Sequence, residues 1–184
     1  IVGCVEEDAI LGADRVEEGD VILGLASSGL HTNGYSLARR IVAERMHLKV
    51  DAEFPGESAS VADVLLRIHR SYLPLLRPIL GKIHGMAHIT GGGLPGNVNR
   101  VLPDTLDAVI DGASWPIPNL FAQLEQHGQV SREEMYRTFN MGVGMVVITD
   151  ESGAAAVEAS ASSANVDAWR LGRTVRGTGR VRIT

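Results

Sequence analysis

Three short stretches of the chain combine glycine with hydroxyl and amide side chains, each beside an apolar run. They are residues 27–34 (Ser27, Ser28, Gly29, Leu30, His31, Thr32, Asn33, Gly34), residues 90–93 (Thr90, Gly91, Gly92, Gly93) and residues 138–144 (Thr138, Phe139, Asn140, Met141, Gly142, Val143, Gly144). Glycine lets backbone N–H groups turn toward a ligand with no Cβ in the way. A helix that follows adds its positive end, so such a turn suits a phosphate or a developing oxyanion. Ser27, Ser28, Thr32, Asn33, Thr90, Thr138 and Asn140 add neutral donors. Any one of these stretches alone reads better as an ordinary tight turn, with Asn33 capping a helix. Three of them in one small domain point to anion binding. His31 lies inside the first, placed to touch a phosphate, to move a proton, or to pack over the loop.

Other chemistries find no support. The two lysines, Lys49 and Lys82, stand in no Gly-x-x-x-x-Gly-Lys-[Ser/Thr] context. Leu25 occupies the place where a nucleophile elbow around Ser27 needs glycine. His84 and His88 are four apart, yet no glutamate accompanies them and Gly85 weakens a helix there. His47, His69 and His127 read as surface or cap residues, and no metal-ligand set is assigned.

The elements that must hold these loops follow from periodicity. Val21, Ile22, Leu23, Gly24 and Leu25 read as a buried strand after the turn at Gly19 and Asp20. Leu37, Ala38, Ile41, Val42 and Met46 then recur at helical spacing. A second helical run from Val61 to Ile79, including Ile68, should divide near Ser71 because Pro74 and Pro78 follow. Short strands are expected at residues 1–5, 106–110, 145–149, 168–175 and 181–184, and helices at 94–101, around Leu120, from Ser131 and over 151–162. Ser131 and Glu134 have capping-box spacing. The irregular alternation predicts an α+β fold, a mixed sheet with helices packed on it.

Composition bounds the rest. The chain has 184 residues, 45% of them hydrophobic, enough for one domain with a substantial core. A net charge of −5 argues against nucleic acid as a partner. Arg170, Arg173, Arg176, Arg180 and Arg182 read as solvated strand faces. The single cysteine, Cys4, excludes an internal disulfide, fits a reducing cytoplasmic compartment and reads as a small core residue. No run of about 18 apolar residues is present, so no membrane partner is expected. The chain opens without methionine, on Ile1 and Val2, and is expected to be part of a longer protein.

The stretch from Gly19 to Leu37, the segments Ala87–Gly93 and Asn97–Pro103, and above all Glu134–Met145 resemble the C-terminal domain of aminoimidazole ribonucleotide synthetase (phosphoribosylformylglycinamidine cyclo-ligase) in order and spacing. Leu30 and Met141 depart from the proline and cysteine common in that family, both toward apolar residues. The resemblance implies a three-layer α/β/α sandwich, partly ferredoxin-like. It implies a ligase of purine biosynthesis that uses ATP to close formylglycinamidine ribonucleotide into 5-aminoimidazole ribonucleotide, releasing ADP and phosphate. ATP and Mg would be bound mainly by an N-terminal domain not in this chain, and the full-length protein would be a homodimer. The expected roles here are His31 in catalysis, with Ser27, Ser28, Gly29, Asn33, Gly34, Thr90, Gly91, Gly92, Gly93, Thr138, Asn140, Gly142 and Gly144 in substrate or phosphate binding. The alternatives are a non-catalytic anion-binding or assembly module of this fold, or a formylglycinamidine ribonucleotide synthetase-type ligase.

Overall fold

The computed structural model describes residues 2–184. Strand β1 (Val21–Ala26) lies in the middle of a six-stranded sheet. It pairs antiparallel with β4 (Val143–Thr149) on one side and β5 (Ala168–Arg176) on the other. Beyond β4 comes β2 (Gly85–His88); beyond β5 come β3 (Leu106–Ile110) and β6 (Val181–Ile183). The β3–β6 pair is parallel and every other pair antiparallel, so the sheet is mixed.

β1 reads as a continuous apolar run because both of its faces are covered. Val21, Leu23 and Leu25 point into one core, with Leu75 and Leu76 of α3 (Leu73–Leu76) and Ala154, Val157 and Ala161 of α7 (Glu151–Ser163). Ile22 points into the other. That larger core takes residues from α1 (Tyr35–Arg40), its π-helical continuation (Ile41–Arg45), α2 (Val61–Leu65), α4 (Gly93–Val98), α5 (Asn119–Gly128) and α6 (Arg132–Thr138). Two helical layers on one mixed sheet make the three-layer α/β/α arrangement expected above.

Several local expectations need correction. Residues 2–5 form no strand, Val2 is 96% exposed, and Cys4 is exposed rather than a core residue; Ile1 lies outside the described residues. Each of residues 2–5 is exposed and pairs with no strand of the sheet. The run from Val61 to Ile79 breaks earlier than Ser71. α2 ends at Leu65, residues 66–72 are irregular with Ile68 89% exposed, and Pro74 sits in the first turn of α3, where its missing N–H is harmless. The Ser131 cap forms on Glu134 N at 3.3 Å, but the Glu134 carboxylate takes the Thr138 hydroxyl instead of closing the box. No described helix is long and apolar enough to cross a membrane.

Candidate functional site

All three glycine-rich loops converge at one end of the sheet. The loop 27–34 leaves β1, residues 138–142 enter β4 beside it, and 90–93 leaves β2 on β4's far side. Asn140 ties the first two together. Its Nδ2 donates to the Gly29 carbonyl at 2.8 Å, and its Oδ1 accepts from the Ser27 hydroxyl at 3.0 Å and Gly142 N at 2.8 Å. Ser27 N also donates to the Gly142 carbonyl at 2.8 Å. Asn97 does the same for 90–93: Nδ2 donates to the Gly93 carbonyl at 2.7 Å and Oδ1 accepts from the Thr90 hydroxyl at 3.0 Å. An Asn buried on a short helix, seven residues beyond Thr90, is the signal that could have nominated Asn97.

The nominated residues therefore fall into two groups. Gly29, Gly93, Asn140, Gly142 and Gly144 are buried and form the scaffold. Gly93 has φ +59°, and a Cβ there would lie 1.7 Å from the Tyr136 carbonyl oxygen, so no other residue fits. Thr138 and Ser28 direct their hydroxyls to the protein, to Glu134 and to the Ile68 carbonyl. What faces outward is the backbone at Asn33, Gly34, Gly91 and Gly92, with the Gly91 Cβ position 3.8 Å from Asn33 Oδ1. The Gly91 and Gly92 N–H groups have no acceptor among the described residues.

His31, to which the resemblance gives a catalytic role, is buried in this chain. It is 2% exposed, in the left-handed region at φ +56°, beneath the loop. Its Nε2 accepts from Ser28 N at 3.1 Å, so the proton of the neutral ring sits on Nδ1, which has no partner. Its ring stacks on His69 at 4.0 Å, and His69 Nε2 lies 3.0 Å from His88 Nε2. His69, read above as a surface or cap residue, thus belongs to a three-histidine cluster formed as residues 66–72 fold back over the loop.

Burial, then the neighbouring His69, His88 and Arg70, lower the His31 pKa from 6.5 to about 3. The ring is neutral at pH 7. The unfolded chain, with an ordinary histidine, binds the proton first as pH falls. Stability conferred by His31 is therefore full above about pH 6.5 and is lost as pH drops from there toward 3, at up to about 1.4 kcal/mol per pH unit. Urea midpoints between pH 7.5 and 4.5 should fall accordingly, and His31→Asn should flatten the decline. An equal slope in the variant would place the acid sensitivity elsewhere.

The chain matches the family described as "AIR synthase related protein, C-terminal domain" over residues 17–184. It is 46% identical over 179 residues to a phosphoribosylformylglycinamidine cyclo-ligase of Burkholderia cenocepacia, covering 96% of this chain and 50% of that protein. The chain thus spans about half the length of the curated relatives it matches. Among solved structures, a thiamine-monophosphate kinase from Stenotrophomonas maltophilia superposes with a TM-score of 0.63 at 19% identity, covering 97% of this chain and 54% of the other. A hydrogenase maturation protein HypE in complex with ATP superposes at 0.58 and 20%, covering 97% and 51%. These structural likenesses show the fold. With the sequence match over nearly the whole chain and the three loops in one place, the conclusion is direct: this chain belongs to the AIR synthase related protein family, as its C-terminal domain.

Proposed function

We propose that the chain is the loop-bearing half of a phosphoribosylformylglycinamidine cyclo-ligase of purine biosynthesis. The observation that carries this is the 46% identity over 179 residues to proteins of that name. In the proposed reaction ATP phosphorylates the amide oxygen of formylglycinamidine ribonucleotide, and the amidine nitrogen then attacks the activated carbon to close the imidazole ring, with ADP and phosphate leaving. Phosphoryl transfer needs positioning and charge stabilisation more than reactive side chains. Neutral donors held rigidly, such as the Gly91 and Gly92 N–H groups beside Asn33, suit that task. Asn140 and Asn97 keep the loops in place without touching substrate.

Mg²⁺ takes oxygen ligands in octahedral geometry. The group of metal-ligating side chains within reach of one another among the described residues is His31, His69 and His88, all nitrogen donors. These residues do not fit Mg²⁺, and its binding is assigned to the other half of the protein, along with most of the contacts to ATP. The protein is a homodimer of two-domain chains in the cytoplasm in this reading.

The test joins the chain to the preceding half of a curated relative and follows ATP-dependent formation of aminoimidazole ribonucleotide. The joined protein should turn over, and the 184 residues alone should not. A folded joined protein that binds ATP yet forms no product would overturn the assignment. Multiple turnover by the isolated chain would overturn the expected dependence on a second half.

A further inference from the structure

Only two buried side-chain nitrogen or oxygen atoms lack a hydrogen-bond partner among the described residues, His31 Nδ1 and Arg70 Nε. Both are N–H donors, and both lie in one neighbourhood. His31 stacks on His69, the residue before Arg70, and His69 meets His88. Arg70 and His88 in turn line one cavity of about 360 Å³ beside Tyr72. A buried donor without a partner is unfavourable, so two together call for an acceptor.

We propose that His31, His69, Arg70 and His88 form a side-chain-built oxyanion site that takes a phosphate group. No carboxylate pairs with any of the four among the described residues. Arg70 brings a fixed positive charge and a planar set of donors suited to a phosphate. His31 offers its Nδ1–H. His69 Nε2 and His88 Nε2 lie 3.0 Å apart, so one ring donates to the other, and the accepting ring carries its own proton on Nδ1 as a further donor.

One ring nitrogen from each histidine lies within 4.8 Å of the others, a spacing that could also bracket a transition metal. Two observations favour the anion. The His31 Nε2 lone pair receives Ser28 N–H, so Nδ1 is a donor and not a ligand. The unneutralised guanidinium of Arg70 repels a dication and attracts an anion. The proposal deepens the functional reading above by naming a second set of phosphate contacts next to loop 27–34. It rests on that reading only for the identity of the phosphate-bearing substrate.

The probe is inorganic phosphate, titrated into the chain at pH 7 and followed by NMR at the histidine Cε1–H signals and the Gly91 and Gly92 amides. Saturable shifts of the His69 and His88 Cε1–H signals are expected. Arg70→Gln and His88→Gln should each weaken binding about tenfold or more, equivalent to about 1.4 kcal/mol. His88 is exposed, so its variant should fold even if Arg70→Gln does not. Gly91→Ala, whose methyl would meet nothing closer than Asn33 Oδ1 at 3.8 Å, separates this site from the loop amides. If Gly91→Ala abolishes binding while both side-chain variants retain it, the loop reading survives and the side-chain site fails. Absence of any saturable histidine response overturns the proposal. So does stoichiometric Zn²⁺ binding at His69 and His88 that phosphate does not oppose.

Discussion

Asn140→Ala is expected to destabilise the chain by about 3 kcal/mol and to loosen the junction of two loops at once. The side chain is 3% exposed and makes three hydrogen bonds within 3.0 Å. Truncation leaves the Gly29 carbonyl and the Gly142 N–H, both buried, without partners, and each orphan costs about 1–3 kcal/mol. The Ser27 hydroxyl also loses its acceptor, though it is near enough to water to recover one. Urea unfolding should show a lower midpoint at unchanged slope, and hydrogen exchange should show the Gly142 amide losing protection. Asn140→Asp keeps the two acceptor bonds but buries a carboxylate oxygen against the Gly29 carbonyl, so at pH 7 it should destabilise at least as much as alanine. A loss below about 1 kcal/mol in Asn140→Ala would mean that the loops hold together without this side chain.

In a two-domain enzyme that carries this chain, replacing His31 should cost about 10² in kcat. Its neutral ring at pH 7 can donate an Nδ1–H bond to developing negative charge but carries no proton ready to give away. The kcat–pH profile should therefore show no limb from His31 between pH 5 and 8. Stability should fall as well, since the ring is buried against His69 and fills the space above Gly144. Asn is the better substitute, because it tolerates the left-handed backbone at φ +56° that would strain alanine. Activity must be read per folded molecule. If kcat and KM per folded molecule match wild type while the melting temperature falls, His31 is a packing residue and the outward-facing amides are the better candidates.

Most of what positions the site was legible locally. Val21–Leu25 announces a strand covered on both faces, and the glycine, serine and asparagine that follow announce a loop before a helix. Sheet order was not legible, because it depends on pairings such as Val21 with Thr149 and with Arg173, which no local pattern encodes. The same limit hid Arg70 and His69. They sit in a stretch with helical periodicity, yet residues 66–72 fold back so that Ser28 Oγ bonds the Ile68 carbonyl and Tyr72 Oη bonds Ala26 O. Periodicity over 61–79 was a true record of apolar spacing, but the proline-bearing half begins a new helix. The Thr138 and Asn140 side chains were nominated by type as ligand donors. In the fold the Asn140 side chain bonds the buried Gly29 carbonyl and the Thr138 hydroxyl bonds the Glu134 carboxylate, contacts that residue type alone does not reveal.

The bond between Asn140 and Gly29 joins residues 111 apart, and Ser27 reaches Gly142 across a similar span. Closing so long a loop carries an entropy cost before any contact repays it, and folds rich in such contacts form slowly. During synthesis the first glycine loop must wait, unpaired, until β4 emerges and β1 finds its place between β4 and β5. If the loops bind phosphate as proposed, that affinity is a late property of the folding chain. An intermediate with its helices formed and β1 unpaired would have normal helical content and bind no phosphate, so phosphate binding would time the closing of the sheet.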